Sequence, residues 1–221
     1  MMSQNSGWNE HRKAHARILG TQVAAQCSKK GFQAVYADSS EEALEKVLAL
    51  IPGGAAVGIS GSVSVREIGA VEALQKRGNP VVQHWDPSLK TAEERKQRLL
   101  DEFSCTVHLT GTNAITRDGM LVNIDGTGNR VAAMSWGPGK IIFVVGINKI
   151  CPDIETAIRR VRDVATPPNA LRLGIDTPCA KTGFCMNCDS PQRVCRALLI
   201  LERPTLGRES HVILVGEPLG Y

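Results

Sequence analysis

The 221-residue sequence predicts an α/β fold, a mostly parallel open sheet with helices on both faces. Three observations carry that expectation. Over the first half of the chain, helical and strand patterns alternate as α-β-α-β-α-β-α-β, the order in which a parallel sheet is laid down. The strand candidates are short apolar runs rich in Val and Ile, as expected of strands covered on both faces. Aromatic residues number only nine (three Trp, two Tyr, four Phe), so the interior has to be built from Val, Ile, Leu and Ala.

Residues 9–30 read as a polar helix ended by Gly31, and 32–37 as a short strand. Ser39 or Ser40 can cap a second helix, in which Leu44, Val47, Leu48 and Ile51 fall at i, i+3, i+4 and i+7. Pro52-Gly53-Gly54 stops it, and 55–59 is a buried-type strand. A single helix is expected over about 62–77, then a strand at 81–84, a charged helix at 91–103 and a strand at 105–109. Beyond Thr110 the texture changes. Asp118-Gly119 and Asp125-Gly126 are turn dipeptides around the apolar run 120–124, and 140–146 is the most strand-like stretch. A helix starting near Pro152 carries Ile154, Ala157, Ile158 and Val161 on one face, and Thr166-Pro167-Pro168-Asn169 is expected to close it. Residues 170–195 read as an irregular, cysteine-rich excursion before two last strands, 197–201 and 211–215. No linker divides the chain, so 1–221 reads as one domain with an N-terminal helix over 1–30.

Composition excludes several classes. Apolar residues make up 43%, enough for a sizeable core and too many for a disordered chain. The longest apolar run, 141–147, is far short of the ~18 residues of a membrane span, and the polar N-terminus has no signal-peptide pattern. A cytoplasmic protein is the expectation. The net charge of +4 is local: residues 154–208 carry nine Lys or Arg against five acids. With no nucleic-acid-binding motif beside it, that excess reads as a solvated face that attracts anions, and no nucleic-acid partner is expected.

Two segments carry ligand chemistry. Gly58, Ser60, Gly61, Ser62 and Ser64 run from a strand into a helix, where unpaired backbone N–H groups and three hydroxyls suit a phosphate or carboxylate. The turn is neither a Walker loop nor a GxGxxG fingerprint, and a plain capped βα turn explains it equally. Gly111, Thr112 and Asn113, with Asn123, Asp125, Gly126, Thr127, Gly128, Asn129 and Arg130, gather short polar side chains among glycines near a strand's carboxyl end. That is where open α/β sheets bind ligands, although successive turns would use the same residues.

The stretch "GTNAITRDGMLVNIDGTGNRVAAM…IIFVVGINKI", with "VGISGSVSVREIG" before it and "HVILVGEPLGY" at the end, resembles the LUD-domain family of lactate-utilization protein C type. The resemblance extends from about residue 10 over nearly the whole chain. It implies the fold group of ribose-5-phosphate isomerase, glucosamine-6-phosphate deaminase and CoA transferases, and a role as an accessory or electron-transfer subunit of lactate oxidation. Iron–sulfur partner subunits and a homo-oligomer belong to the same implication. The central segment is also similar to methylthioribose-phosphate isomerases and initiation factor 2B subunits. Their acid would fall at Asn113, which cannot exchange a proton at neutral pH, so sugar isomerisation is disfavoured. A non-catalytic ligand-binding regulator or scaffold is the alternative reading, and CoA or phosphoryl transfer would need Glu67 or Asp125 as nucleophile.

Of the seven cysteines, Cys179, Cys185, Cys188 and Cys195 follow a C-x5-C-x2-C-x6-C spacing in the irregular segment. Four thiolates suit an Fe–S cluster or tetrahedral zinc, and the spacing matches neither ferredoxin run. Thiols without metal are the third reading. His11 and His15, at i, i+4, read as a solvated pair. His84 and His108 each end a strand, where parallel-sheet sites gather.

Overall fold

The computed structural model describes residues 4–221. Helix α1 (Gln4–Lys29) leads to strand β1 (Gln33–Ala37) and helix α2 (Ser40–Leu50), whose N-cap Ser39 accepts a hydrogen bond from the Glu42 amide at 3.3 Å. Strand β2 (Val57–Gly58) feeds helices α3 (Val63–Glu67) and α4 (Ala70–Lys76). The expected single helix is two because the chain turns left-handed at Gly69, φ +72°. Strand β3 (Val81–Val82) precedes α5 (Ala92–Ser104), which opens with a reciprocal capping box between Thr91 and Glu94.

Strands β4 (Val107–Gly111), β5 (Ala114–Thr116) and β6 (Leu121–Asp125) follow in close succession, then helix α6 (Asn129–Ser135) and strand β7 (Lys140–Gly146). A 3₁₀ turn, Ile147–Lys149, ends in the two-residue strand β8 (Ile150–Cys151). Helix α7 (Ile154–Arg160) runs through a π turn, Val161–Ala165, into α8 (Thr166–Arg172). The prolines expected to close this helix lie in the first turn of α8, where a missing N–H is tolerated. The widened turn before them, with Thr166 Oγ1 donating to the Val161 carbonyl at 2.6 Å, absorbs the change of register. A short helix α9 (Pro178–Thr182) interrupts the irregular segment, before β9 (Ala197–Leu201) and β10 (Ser210–Val215).

The main sheet has the order β1-β10-β7-β4-β2-β3, every pair parallel. A second sheet, β8-β5-β6-β9, is antiparallel except at β5–β8. The last two strands therefore belong to different sheets. Strand β7 shows why the layers stack. Its Ile142 and Val144 pack with Val47 of α2, Val65 of α3 and Leu74 of α4, while Ile141, Phe143 and Val145 pack with Val23 of α1 and Ile115 and Leu121 of the second sheet. Period-two alternation thus supplies both faces of one strand. Phe143 is fully buried, so Phe143→Ala is expected to cost about 3–5 kcal/mol. On its far side the second sheet buries Ala114, Val122 and Ile124 against Ala157 of α7 and Val161. Among the described residues, no helix is long and apolar enough to cross a membrane.

Candidate functional site

At the carboxyl ends of β2, β4 and β6 lies a cavity of about 210 Å³. The serine turn forms one wall (Ser60, Gly61, Ser62, Ser64) and the glycine-rich centre another (Gly111, Thr112, Asn113, Asp125, Gly126, Thr127, Asn129, Arg130). The fold thus joins two segments that the sequence singles out separately, at the crevice position typical of open parallel sheets. Residues from later elements complete it: Lys149 after β7, Thr166, Asn169 and Arg172 of α8, and Gly220 with Tyr221. The proline-bearing register shift is what sets Thr166, Asn169 and Arg172, each three apart, on one cavity-lining face.

Beneath the serine turn, Ser60 Oγ lies 2.9 Å from His108 Nε2. His108 is 2% exposed and hydrogen-bonds the main-chain carbonyl of Glu102 through its other nitrogen. Burial and the nearby Arg208 and Arg130 charges hold its pKa down at about 3, so the ring is neutral. Nε2 is then an acceptor, and the Ser60 proton is directed inward; toward a ligand Ser60 can only accept. The carboxylate of the same Glu102 accepts a hydrogen bond from His84 Nδ1 at 2.7 Å. Glu102 is 1% exposed, its Oε2 has no partner among the described residues, and burial raises its pKa. One residue near the end of α5 therefore fixes two imidazoles, of which His84 lines the cavity. A buried carboxylate orienting a cavity histidine is an arrangement suited to proton transfer.

The electrostatics of the wall are cationic. Arg130, Lys149 and Arg172 line it together with Asp125, whose Oδ2 pairs with Arg130 Nε at 3.9 Å. Asp125 is committed elsewhere: Oδ1 accepts the amides of Thr127 and Gly128 at 3.1 Å each, and Oδ2 that of Val131 at 3.2 Å, which ties down the start of α6. Arg172 stacks 4.2 Å from the Trp85 ring centroid, with Arg66 at 4.6 Å from the same ring. Asn169 Oδ1 accepts from Arg172 Nε at 3.2 Å and Nη2 at 2.7 Å, and Nη1 makes no protein hydrogen bond among the described residues. Lys149 Nζ donates to Ser64 Oγ at 2.7 Å. Burial, with the charges of Arg160 and Arg130, pulls the Lys149 pKa to about 7.

Other polar residues of the glycine-rich centre hold the frame. Arg130 donates to Asn123 Oδ1 (2.9 Å), Asn113 Oδ1 (2.7 Å) and the Ile124 carbonyl (2.6 Å), and the Ile124 amide donates to Asn113 Oδ1 at 3.0 Å. Thr112 Oγ1 lies 3.0 Å from the Ala114 carbonyl. Three of the expected binding residues do not line the cavity. Asn123 is fully buried as a strut of β6, Gly58 sits in β2 against the Glu102 carbonyl and His108, and Gly128 makes the left-handed turn, φ +92°, into α6. Of the two candidates for a transfer nucleophile, Glu67 does not line the cavity and accepts the Gly220 amide at 2.6 Å, and Asp125 lines it with three amides on its carboxylate. His11 and His15 are both exposed on α1.

Cys179 is buried with its Sγ 3.4 Å from Thr177 Oγ1, whereas Cys185, Cys188 and Cys195 are half-exposed. Among the described residues, no group of three or more His, Cys, Asp or Glu is placed to hold a metal ion. The Cys185 amide instead donates to Asp163 at 2.7 Å, and the Cys188 carbonyl accepts from Arg193 at 2.8 Å.

Lys149, Arg172, Asn169 and Trp85 are site residues that the sequence patterns do not single out. Lys149 carries a usable signal, a lone cation directly beyond the carboxyl end of the strongest strand pattern. Arg172 has none, because its place depends on the π turn.

The family model described as LUD domain matches residues 20–215. A DUF162 family protein from Deinococcus radiodurans superposes with a TM-score of 0.52 at 15% identity, covering 90% of this chain and 98% of that one. That likeness shows a shared fold over nearly the full length. Two further structures overlap about half of the chain. Ribose 5-phosphate isomerase A from Neisseria gonorrhoeae has a TM-score of 0.35 at 20% identity, covering 52% of this chain and 54% of its own. Translation initiation factor eIF-2B of Pyrococcus horikoshii OT3 has a TM-score of 0.36 at 17% identity, covering 52% and 48%. No curated protein gives a significant match.

Proposed function

The chain belongs to the LUD domain family, associated with lactate utilization, and on that premise we propose that its central cavity binds a small carboxylate of the size of lactate. The observation that carries the reading is the lining: the Arg172 guanidinium, its Nη1 without a protein partner among the described residues, stands on a wall whose Asp125 carboxylate is tied to Arg130 at 3.9 Å and to three amides. Such a wall favours an anion and disfavours a cation. At about 210 Å³ the cavity is below the roughly 300–1,000 Å³ of sites for drug-sized ligands, which favours a compact acid.

In this reading the Arg172 Nη1 group and the Ser62 hydroxyl hold the carboxylate. Ser62 Oγ accepts only the Val65 amide at 3.4 Å, which leaves its proton for the ligand. Ser60, whose proton goes to His108, accepts from a ligand hydroxyl. A hydroxy acid supplies both the acceptor and the donor. The Glu102–His84 pair supports a site that moves a proton, with a buried carboxylate holding an imidazole that lines the cavity. The protein is read as an accessory subunit of lactate oxidation that acts beside iron–sulfur partner subunits, with no electron carrier assigned to its own cysteines.

Calorimetric titration with L-lactate, D-lactate, pyruvate and inorganic phosphate tests the reading. Binding of a small carboxylate that weakens about tenfold or more in Arg172→Ala supports it. Equal or tighter binding of phosphate alone would move the assignment to a phosphorylated ligand.

A further inference from the structure

Lys149 is more than anion binding requires. It is 4% exposed, yet it lines the cavity, and its Nζ has one hydrogen-bond partner, Ser64 Oγ at 2.7 Å. Buried lysines are normally paired with a carboxylate. Among the described residues none stands within ion-pair distance of this one. Glu67, the acid whose charge reaches it, has Oε2 taken by the Gly220 amide, and the other charges facing it are the guanidinium groups of Arg130 and Arg160. Gly220 closes over the pair: a Cβ there would lie 2.7 Å from Ser64 Oγ and 3.2 Å from Nζ, so only glycine lets the main chain cover them. Water is thereby kept from the amine on that side. With its pKa at about 7, a large fraction of the amine is unprotonated in neutral solution.

We propose that Lys149 is a nucleophile that forms an imine with the carbonyl carbon of a small 2-oxo or aldehydic acid held in the cavity. The proposal rests on the small-carboxylate reading and deepens it, since a 2-oxo acid is what oxidation of a 2-hydroxy acid yields. Nζ adds its lone pair to the carbonyl carbon, and the carbonyl oxygen takes up a proton to give the carbinolamine. Loss of that oxygen as water leaves the C=N bond, so both amine protons depart with the oxygen and no oxidant or reductant is consumed. Ser64 Oγ, already bonded to Nζ, is placed to relay the proton.

The probe is glyoxylate with cyanoborohydride at about pH 7.5, which reduces an imine to a stable carboxymethyl-lysine read by peptide mass mapping. Lys149 is expected to be labelled at least about tenfold faster than the exposed Lys13 and Lys96, with lactate slowing the labelling of Lys149 alone. The label is expected to vanish in Lys149→Arg, whose fold is checked by circular dichroism. Labelling of Lys149 no faster than that of Lys13, in protein that binds lactate by calorimetry, overturns the imine and leaves the carboxylate site standing. Failure of lactate, pyruvate and glyoxylate all to bind overturns the carboxylate reading itself, and the imine with it.

Discussion

Ser60 Oγ stands 2.9 Å from Nε2 of His108, a ring that is 2% exposed and held neutral by burial. The hydroxyl at the mouth of the serine turn is therefore oriented from below, and a buried base supports a cavity wall.

That base makes the fold sensitive to acid. The His108 pKa is about 3 in the folded chain against an ordinary 6.5. Between those values the unfolded chain binds a proton that the folded one does not, so stability is lost as pH falls through this window. Urea midpoints at about pH 7 and about pH 4.5 are expected to fall further for the wild type than for His108→Gln. Equal losses would mean that other groups set the acid limb.

Lys149 works in the same direction at higher pH. Its folded pKa, about 7, lies below the ordinary 10.5, so the folded state carries fewer protons between the two and stability rises with pH across that window. Lys149→Met is expected to stabilise the protein most at about pH 6, with the advantage shrinking toward about pH 10. A pH-independent difference would place Lys149 in a neutral or fully paired environment.

Glu102 orders the variants at its position. Its removal in Glu102→Ala leaves His84 Nδ1 without its acceptor and opens a void at a site 1% exposed. Chemical denaturation is expected to show a loss of about 2–4 kcal/mol, and a smaller loss for Glu102→Gln, which keeps an acceptor. An equally severe Glu102→Gln would show that the negative charge itself holds the region together.

Arg172 separates binding from folding. Its contact with Trp85 is worth about 0.5–1 kcal/mol, so Arg172→Ala is expected to change stability by no more than that while lowering lactate affinity about tenfold or more. Cys185→Ser/Cys188→Ser is expected to leave the affinity within about twofold, since neither thiol lines the cavity. A larger change would tie the cysteine loop to the site.

Most of the main sheet is legible in the sequence because burial on both faces writes itself as uninterrupted Val and Ile, as in 140–146. Strands β5 and β8 are not, because neither lies in a sustained apolar run: β5 follows Thr112-Asn113 and ends at Thr116, and β8 sits between Lys149 and Pro152. Helix α6 is hidden because its start is capped by Asp125, three positions before Gly128, which reads locally as a turn. The continuation through Pro167 and Pro168 is unreadable, because proline normally ends a helix and only the π turn accommodates it here. In the site, both polar segments stand out in the sequence, but not the division of labour within them. Asn123 and Asp125 carry the same side-chain chemistry whether they face a ligand or tie a turn, and only the fold decides which.

The cavity's claim to a small carboxylate is tested most directly by calorimetric titration of lactate and pyruvate into the wild type and Arg172→Ala. The expected result is one site per chain that binds at least one of the two acids and weakens about tenfold or more in the variant. Absence of binding to the folded wild type, or affinity unchanged by loss of Arg172, would contradict it.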